Sequence, residues 1–542
     1  MTRRTEFETS PSVERAGFLC VNVESRGFGA AMGRRAHMDF AAVHQAVSLV
    51  WMLAWIVASM TGALLWPLRE PSRRIRMHLA SLCLVSLVSM LGLVTGAIGV
   101  RLGPLHPTGL GWAISSYISA LGLVVQTFSA RHLAGDERYG SYFAWMTWTL
   151  FFASAAWMAG DAWFFAACWV GMDAGLIRLI AMQRRSRAAQ AVARMTWARL
   201  APSMAGVLLL CGMAAWAGRS PSLDTGIRAL AAHPHASLVA GLLLGTVALA
   251  QAGNWPFGRW LLDSAVTPTP VSALMHAGLV NAGGLLLAKF APVLAAAGPF
   301  PRALLLAFAW LSVVTGTGAI LVQADYKRQL VASTMAQMGL MLMECAMGAY
   351  AVAIVHLVLH GIFKASLFLK SGYAVPAPED ALVPPSPQPK RSLWPAVAGT
   401  LFLLAYVAPH PADGMRLLSG LLLAAGCAIA VRLAADLQAG RWLGLAAVAA
   451  AAGAAEGVRA ALVRAIASLG ASNAHPDWAF AVLAAALVAL QAFAFAWWRW
   501  RPDTNGAMLA YAWLVHLSDP RPASVEAQPT SLKQLVKEAI LK

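Results

Sequence analysis

From residue 45 to residue 498 the chain is a succession of apolar stretches, many of them close to the ~20 residues that a helix needs to cross a bilayer. That repeated length constrains the fold more than any motif. In hydrocarbon, each backbone N–H and C=O has to find its partner inside the protein, and a helix does this within one segment. Spans are expected near 45–66, 79–100, 110–130, 142–160, 162–182, 200–218, 237–257, 268–291, 302–323, 330–349 and 351–374, then 393–408, 415–434, 442–456 and 478–498. The fold class is an all-α polytopic membrane protein with about 14–15 transmembrane helices. Only 12% of residues are charged and 59% are hydrophobic, about half the charge that a soluble domain carries.

The net charge of +17 does not indicate nucleic acid. It sits in short segments between spans: Arg69, Arg73, Arg74 and Arg76; Arg131 and Arg138; Arg184, Arg185, Arg187 and Arg194; Lys327 and Arg328; Lys390 and Arg391; Arg499 and Arg501. All fall on one side of the membrane if the span count holds, and the positive-inside rule makes that side cytoplasmic. The expected location is the cell inner membrane, with the N-terminus periplasmic and the C-terminus cytoplasmic. Arg459 and Arg464 fall on the opposite side. The six cysteines are scattered singly, with no zinc or iron–sulfur spacing. No cofactor motif is present, so any enzymatic chemistry would belong to a partner.

Composition divides the chain further. Residues 1–40 read as a disordered polar tail, 41–375 as a well-patterned transmembrane core, and 376–392 as a proline-rich linker that cannot be helical throughout. Residues 393–500 hold the last spans, and 501–542 a cytoplasmic tail. Its end, SLKQLVKEAILK, has helical spacing suited to a partner.

Ionisable groups inside spans are costly and therefore mark function. In AIVHLVLHGIFKASLFLKSG, His356, His360 and Lys364 recur every four residues. They share one broad helix face over ~12 Å of axis. Such a ladder can pass protons. Either histidine alone reads equally well as a helix–helix hydrogen bond. The same i, i+4 pair could start a zinc site, yet no third ligand is evident. His276 lies inside TPTPVSALMHAGLVNAGGLLLAKF, where Asn281, Gly283 and Gly284 permit close packing. Lys289 reads as an interfacial anchor, and Lys370 as a side chain that snorkels. Before that span, Gln251, Gly253, Pro256 and Gly258 interrupt an otherwise continuous helix. Such a break lines an ion site in many transporters, or is a simple kink.

Three blocks carry a resemblance: PFGRWLLDSAVTPTPVSALMHAGLVNAGG, QADYKRQLVASTMAQMG and HLVLHGIFKASLFLKSG, with a weaker one at FSARHLAGDERYGSYF. The chain resembles the antiporter-like subunits of complex I, subunit L among them, and the related Mrp antiporters. The run HAGLVNAGGLLLAKFAP is similar to one branch, the DabB-type subunits of inorganic carbon pumps. That resemblance implies an antiporter-like core containing a broken helix, and a proton relay at His276, His356, His360 and Lys364. It also implies a DabA-like zinc-binding peripheral partner on the cytoplasmic face, driven by H+ or Na+ to accumulate inorganic carbon. Four departures argue against a standard respiratory subunit and against a full complex I proton path. The family's lysine before the break aligns with Gln251. Its fifth-span glutamate aligns near Val170 or Gly171, leaving Asp173 and Asp161 as possible acidic partners. The second broken helix and the lateral helix of subunit L have no counterpart. Two other readings remain: an ion-translocating subunit of a respiratory NADH dehydrogenase or hydrogenase complex, and a non-conducting scaffold of the same fold.

Overall fold

A computed structural model describes residues 28–67, 73–99, 101–183, 186–371, 441–470, 477–501 and 504–519, and isolated positions between 403 and 427. The chain divides into two units, Met1–Val43 and His44–Lys542, and the second carries the core and the site. Helices run in the order α1 (Phe28–Leu64), α2 (Arg73–Val94), α3 (Gly109–His132), α4 (Tyr139–Met158), α5 (Ala162–Ile180), α6 (Arg187–Gly218), α7 (Leu223–Ala231) and α8 (Pro234–Gln251). Then come α9 (Arg259–Asp263), α10 (Thr269–Ala277), α11 (Ala282–Lys289), α12 (Ala291–Ala296), α13 (Pro299–Val322), α14 (Tyr326–Ala346) and α15 (Tyr350–Ser371). The C-terminal part holds α16 (Arg441–Ser468), α17 (Trp478–Trp500) and α18 (Asn505–Ser518).

Among the described residues, ten helical stretches are long and apolar enough to cross a membrane, the first of them Ala42–Leu64 and the last Trp478–Trp498. α4 and α14 also have the length, at 20 and 21 residues, and both are largely buried among their neighbours. The expected spans 393–408 and 415–434, the linker 376–392 and the end of the tail lie outside the described residues.

Side-chain caps set where several helices begin. Thr108 caps α3, Ser186 caps α6, Asp325 caps α14 and Asp477 caps α17, each accepting a first-turn N–H. Asp161 does the same for α5, taking the Trp163 and Phe164 N–H groups at 2.9 Å. It is therefore a cap, and nothing ties it to the ladder as an acidic partner.

Three sequence expectations change. Arg187 and Arg194 are not in a loop, because α6 runs 32 residues from Arg187. At 1.5 Å per residue it outruns the hydrocarbon core, and the arginines ride its first turns. α16 continues past residue 456, where Arg459 donates to Glu456 one turn back at 2.7 Å. The pair offsets a charge that span counting put on the wrong side. The segment 505–518, expected to be part of a polar tail, is the apolar helix α18. It packs on α13, with Leu514 seated directly against Gly318.

Contacts sort the connections into two sides. His106 bonds Asp224 at 3.1 Å, and Lys289 reaches the Ala159 carbonyl at 3.4 Å. These join the α2–α3, α4–α5 and α6–α7 connections with the end of α11. Trp66, Arg138, Arg178 and Met182 line one pocket at the other ends of α1, α4 and α5. The arginine-rich connections thus share a side. Thiol labelling of intact cells checks this: Glu137→Cys and Ala324→Cys should react only with membrane-permeant reagents, and Arg228→Cys with impermeant ones. The reverse pattern would invert the topology.

Candidate functional site

α14 and α15 run antiparallel and present matching stripes. His356 Nδ1 lies 3.1 Å from Glu344 Oε2, and its Nε2 lies 3.0 Å from Gln337 Oε1. One turn on, the His360 ring is 6.0 Å from that of His356, at 80°. Another turn on, Lys364 Nζ donates to the Leu330 carbonyl at 2.8 Å and to Ser333 Oγ. Glu344, His360 and Lys364 are buried, with Lys364 only 2% exposed. Among the described residues no carboxylate pairs with Lys364. Its charge is held by a carbonyl and a hydroxyl. The ladder therefore has a carboxyl at one end and an amine at the other. Its Glu344 end lies toward the α14–α15 connection, and its Lys364 end toward the arginine-rich side.

His276 joins this array from α10. Its ring stacks on Phe368 of α15, centroids 4.5 Å apart and 4° from parallel. Both of its ring nitrogens, and His360 Nε2, are buried without a protein hydrogen-bond partner. Directly after His276 the helix breaks. α10 ends at Ala277, a 3-10 turn covers Leu279–Asn281, and α11 resumes at Ala282. The Ala277 carbonyl accepts from Tyr117 Oη at 2.8 Å and from Asn281 Nδ2 at 2.5 Å. Against this point lies Gly361, between His360 and Lys364. A Cβ there would overlap the Tyr117 hydroxyl and stand 2.7 Å from the Ala277 oxygen. The absent side chain lets the ladder helix lie flat on the break.

The first interruption falls at the residues expected for it. α8 ends at Gln251, Gly253 adopts φ 61°, and the Trp255–Pro256 bond is cis. Trp255 N donates to Ser312 Oγ of α13 at 2.9 Å and its ring stacks on Phe308. Gly258 packs against Met335. Arg259 reaches the His516 carbonyl at 3.2 Å and the Leu517 carbonyl. The segment is therefore wedged between α13, α14 and α18.

Gln251 anchors a second buried cluster. Its Nε2 donates to Asp173 Oδ1 at 2.9 Å and to the Leu279 carbonyl, in the second break, at 3.4 Å. Its Oε1 accepts from Ser203 Oγ at 2.8 Å, and Trp169 Nε1 donates to Ser203 at 3.0 Å. Asp173 is thus the acid that meets this position, two to three residues beyond where alignment placed the family's glutamate. An apolar cavity of about 20 Å3 lies between this cluster and the ladder, lined by Met172, Gly278, Leu279, Tyr117 and Leu357 among others.

Residues 163–379 match the family model described as NADH:quinone oxidoreductase/Mrp antiporter, transmembrane. Across 506 residues the chain is 35% identical to a probable inorganic carbon transporter subunit DabB of Bacillus subtilis (strain 168), covering 90% of this chain and 97% of that one. The chain belongs to the DabB family. The DabB protein of Bacillus anthracis is 35% identical over 384 residues, which span 69% of this chain and 74% of that one. Among solved structures, a chain of the Mrp complex from Dietzia sp. DQ12-45-1b superposes with a TM-score of 0.55 at 20% identity, over 91% of this chain and 55% of that one. A chain of the archaeal membrane-bound sulfane sulfur reductase gives 0.52 at 17% identity, over 59% of this chain and 55% of that one. This chain thus spans about half the length of those solved chains, and the likeness shows a shared antiporter-like fold. It is a multi-pass membrane protein.

Sequence reasoning missed Glu344, Gln337, Ser333 and Tyr117. Glu344 was findable, as a lone acid in the apolar run LMLMECAMG. Tyr117 carried no signal, because its role depends on a carbonyl 160 residues away. Gly361 supplies a test with a distinctive sign. Gly→Ala in a helix interior usually stabilises, by up to ~1 kcal/mol. Here overlap should reverse this, and Gly361→Ala should lose roughly 1–3 kcal/mol, read as a lower unfolding temperature in detergent.

Proposed function

We propose that this DabB-family chain is the membrane subunit of an inorganic carbon transporter, conducting H+ to drive a DabA-like zinc-binding partner on its cytoplasmic face. The observation that carries this reading is the buried series Glu344, His356, His360, Lys364 along one pair of helices. The choice of ion follows from its chemistry. Na+ is a hard cation and calls for a cage of oxygens. The ladder instead offers two imidazoles and an amine, groups that take up and release protons, and its carboxyl and amide oxygens sit at the His356 end rather than around a common centre. The cell inner membrane is the location this role requires. Basic connections on the cytoplasmic side would steer an acidic partner toward it.

A direction follows from the same groups. Glu344 and His356 are the more exposed end, with side chains 11% and 18% exposed, and lie away from the arginine-rich side. Protons would enter there and leave past Lys364 toward the cytoplasm. His276, stacked on Phe368, adds a titratable ring beside the helix break. Asp173 contributes a second carboxyl, with Gln251 holding it from the position of the family's lysine.

The test is rescue of a carbonic-anhydrase-deficient host at ambient CO2, expressing this chain with its partner. Lys364→Ala, His360→Ala and Glu344→Gln should insert at normal levels and fail to rescue. Lys370→Ala, at an exposed position, should rescue fully. Rescue by Lys364→Ala at normal expression would overturn the relay and favour a scaffold that no longer conducts. A second check is biochemical. Tagged in its native host, the chain should co-purify with a soluble zinc protein; recovery with redox subunits instead would point to a respiratory complex.

A further inference from the structure

On the arginine-rich side, the end of α1, the start of α4 and the end of α5 enclose a pocket of about 340 Å3. Trp66, Pro67, Glu137, Arg138, Ser141, Trp145, Arg178 and Met182 form its walls. We propose that this pocket binds the phosphate headgroup of an anionic phospholipid from the adjacent leaflet.

Its inner surface is rich in donors. Among the described residues, neither Arg138 nor Arg178 has a carboxylate within ion-pair distance. Arg178 lies over the Trp145 ring, 5.7 Å from its centroid, a cation–π contact that holds the side chain at the pocket wall. The Trp145 indole N–H is buried and has no acceptor. α4 begins at Arg138 with no side-chain cap, so the positive end of a 20-residue helix adds to the field. Two carboxyls moderate it. Asp136 Oδ1 accepts the Arg138 backbone N–H at 2.8 Å, and Glu137, at the rim, already has an interaction of its own.

Size and surroundings select the ligand. The volume equals roughly ten water molecules, far more than a four-heavy-atom oxyanion such as bicarbonate fills. A glycerophosphate headgroup matches it. Trp66 is 44% exposed, and its ring lies 6.2 Å from that of Trp145, as in an interfacial aromatic belt. Leading away from it, Met60 and Leu64 of α1 are 63% and 64% exposed, an apolar track for an acyl chain. Basic pockets between helices on the cytoplasmic side are where anionic headgroups dock.

The experiment uses the full-length protein, purified in detergent and stripped of lipid. Phosphatidylglycerol is titrated by native mass spectrometry and by thermal unfolding. Parallel arms contain glycerol 3-phosphate or bicarbonate. Phosphatidylglycerol should bind and raise the unfolding temperature, and the soluble anions should not. Arg138→Gln with Arg178→Gln should weaken lipid binding by about tenfold or more, as loss of charge-assisted hydrogen bonds predicts. Trp145→Phe removes the N–H with part of the indole while keeping an aromatic ring, and should give a smaller loss in a chain that folds normally. Equal lipid binding by wild type and both variants would overturn the proposal. So would stabilisation by the soluble anions as strong as that by the lipid, which would make this a small-oxyanion site.

Discussion

A bilayer cannot hydrogen-bond a backbone, so a helix interrupted at membrane depth survives only where protein supplies the missing partners. The break after His276 meets that condition chiefly at the Ala277 carbonyl, with Gln251 reaching the Leu279 carbonyl as well. Tyr117 of α3 and Asn281 of the same segment both donate to it. Much of the site depends on this solution. Tyr117 can reach the carbonyl because Gly361 leaves room, and Gly361 places His360 and Lys364 beside the break. Ladder and break are one packing unit, which is why His276 stacks on Phe368 of the ladder helix. A motion at the break therefore has to move the ladder side chains, or be blocked by them.

The departures from the family pattern acquire a physical meaning in the second cluster. Gln251 points its amide nitrogen at Asp173 Oδ1 and at the Leu279 carbonyl, the contacts that an ammonium would make from the same position. The contact to the acid is present here with a neutral amide as the donor. Burying a charged pair costs several kcal/mol per ion in desolvation, whereas a neutral amide is satisfied by the hydrogen bonds seen here. Glutamine at this position satisfies its own amide, while Asp173 Oδ2 stays buried without a protein hydrogen-bond partner. It also leaves Asp173 as the single ionisable member of the cluster, next to the carbonyl of the second break.

Much of the fold was legible because bilayer thickness writes itself into the sequence as apolar length. The ladder was legible for the complementary reason: a lysine and two histidines stand out in an apolar helix. What escaped depends on distant residues or on averaging. The span 268–291 reads as continuous, since HAGLVN holds no proline, and its break is stabilised by a tyrosine on α3. Glu344 was exposed to the same reasoning as Lys364, yet its meaning as the partner of His356 exists only once α14 and α15 are paired. α18 was hidden because a polar segment around it dilutes NGAMLAYAWLVHLS in any composition taken over 502–542.

The spacing of the ladder decides how it can carry charge. Side chains at i, i+4 stand ~6 Å apart on a helix. At an effective dielectric of ~20, two positive charges at that distance repel by ~3 kcal/mol. His360 and Lys364 cannot both be charged without that penalty, so a proton arriving on one favours departure from the other. Glu344 does not cancel the effect. It lies beside His356, ~12 Å along the axis from Lys364, where the attraction falls to ~1.4 kcal/mol on the same basis. Its pull acts on the first step, at His356, and the repulsion acts on the last. On the proposed reading, a carboxyl at the exposed end would favour proton entry, and a proton reaching His360 would favour release of one from Lys364. Under that proposal, the order of transfer would be set by the positions of four side chains on two helices.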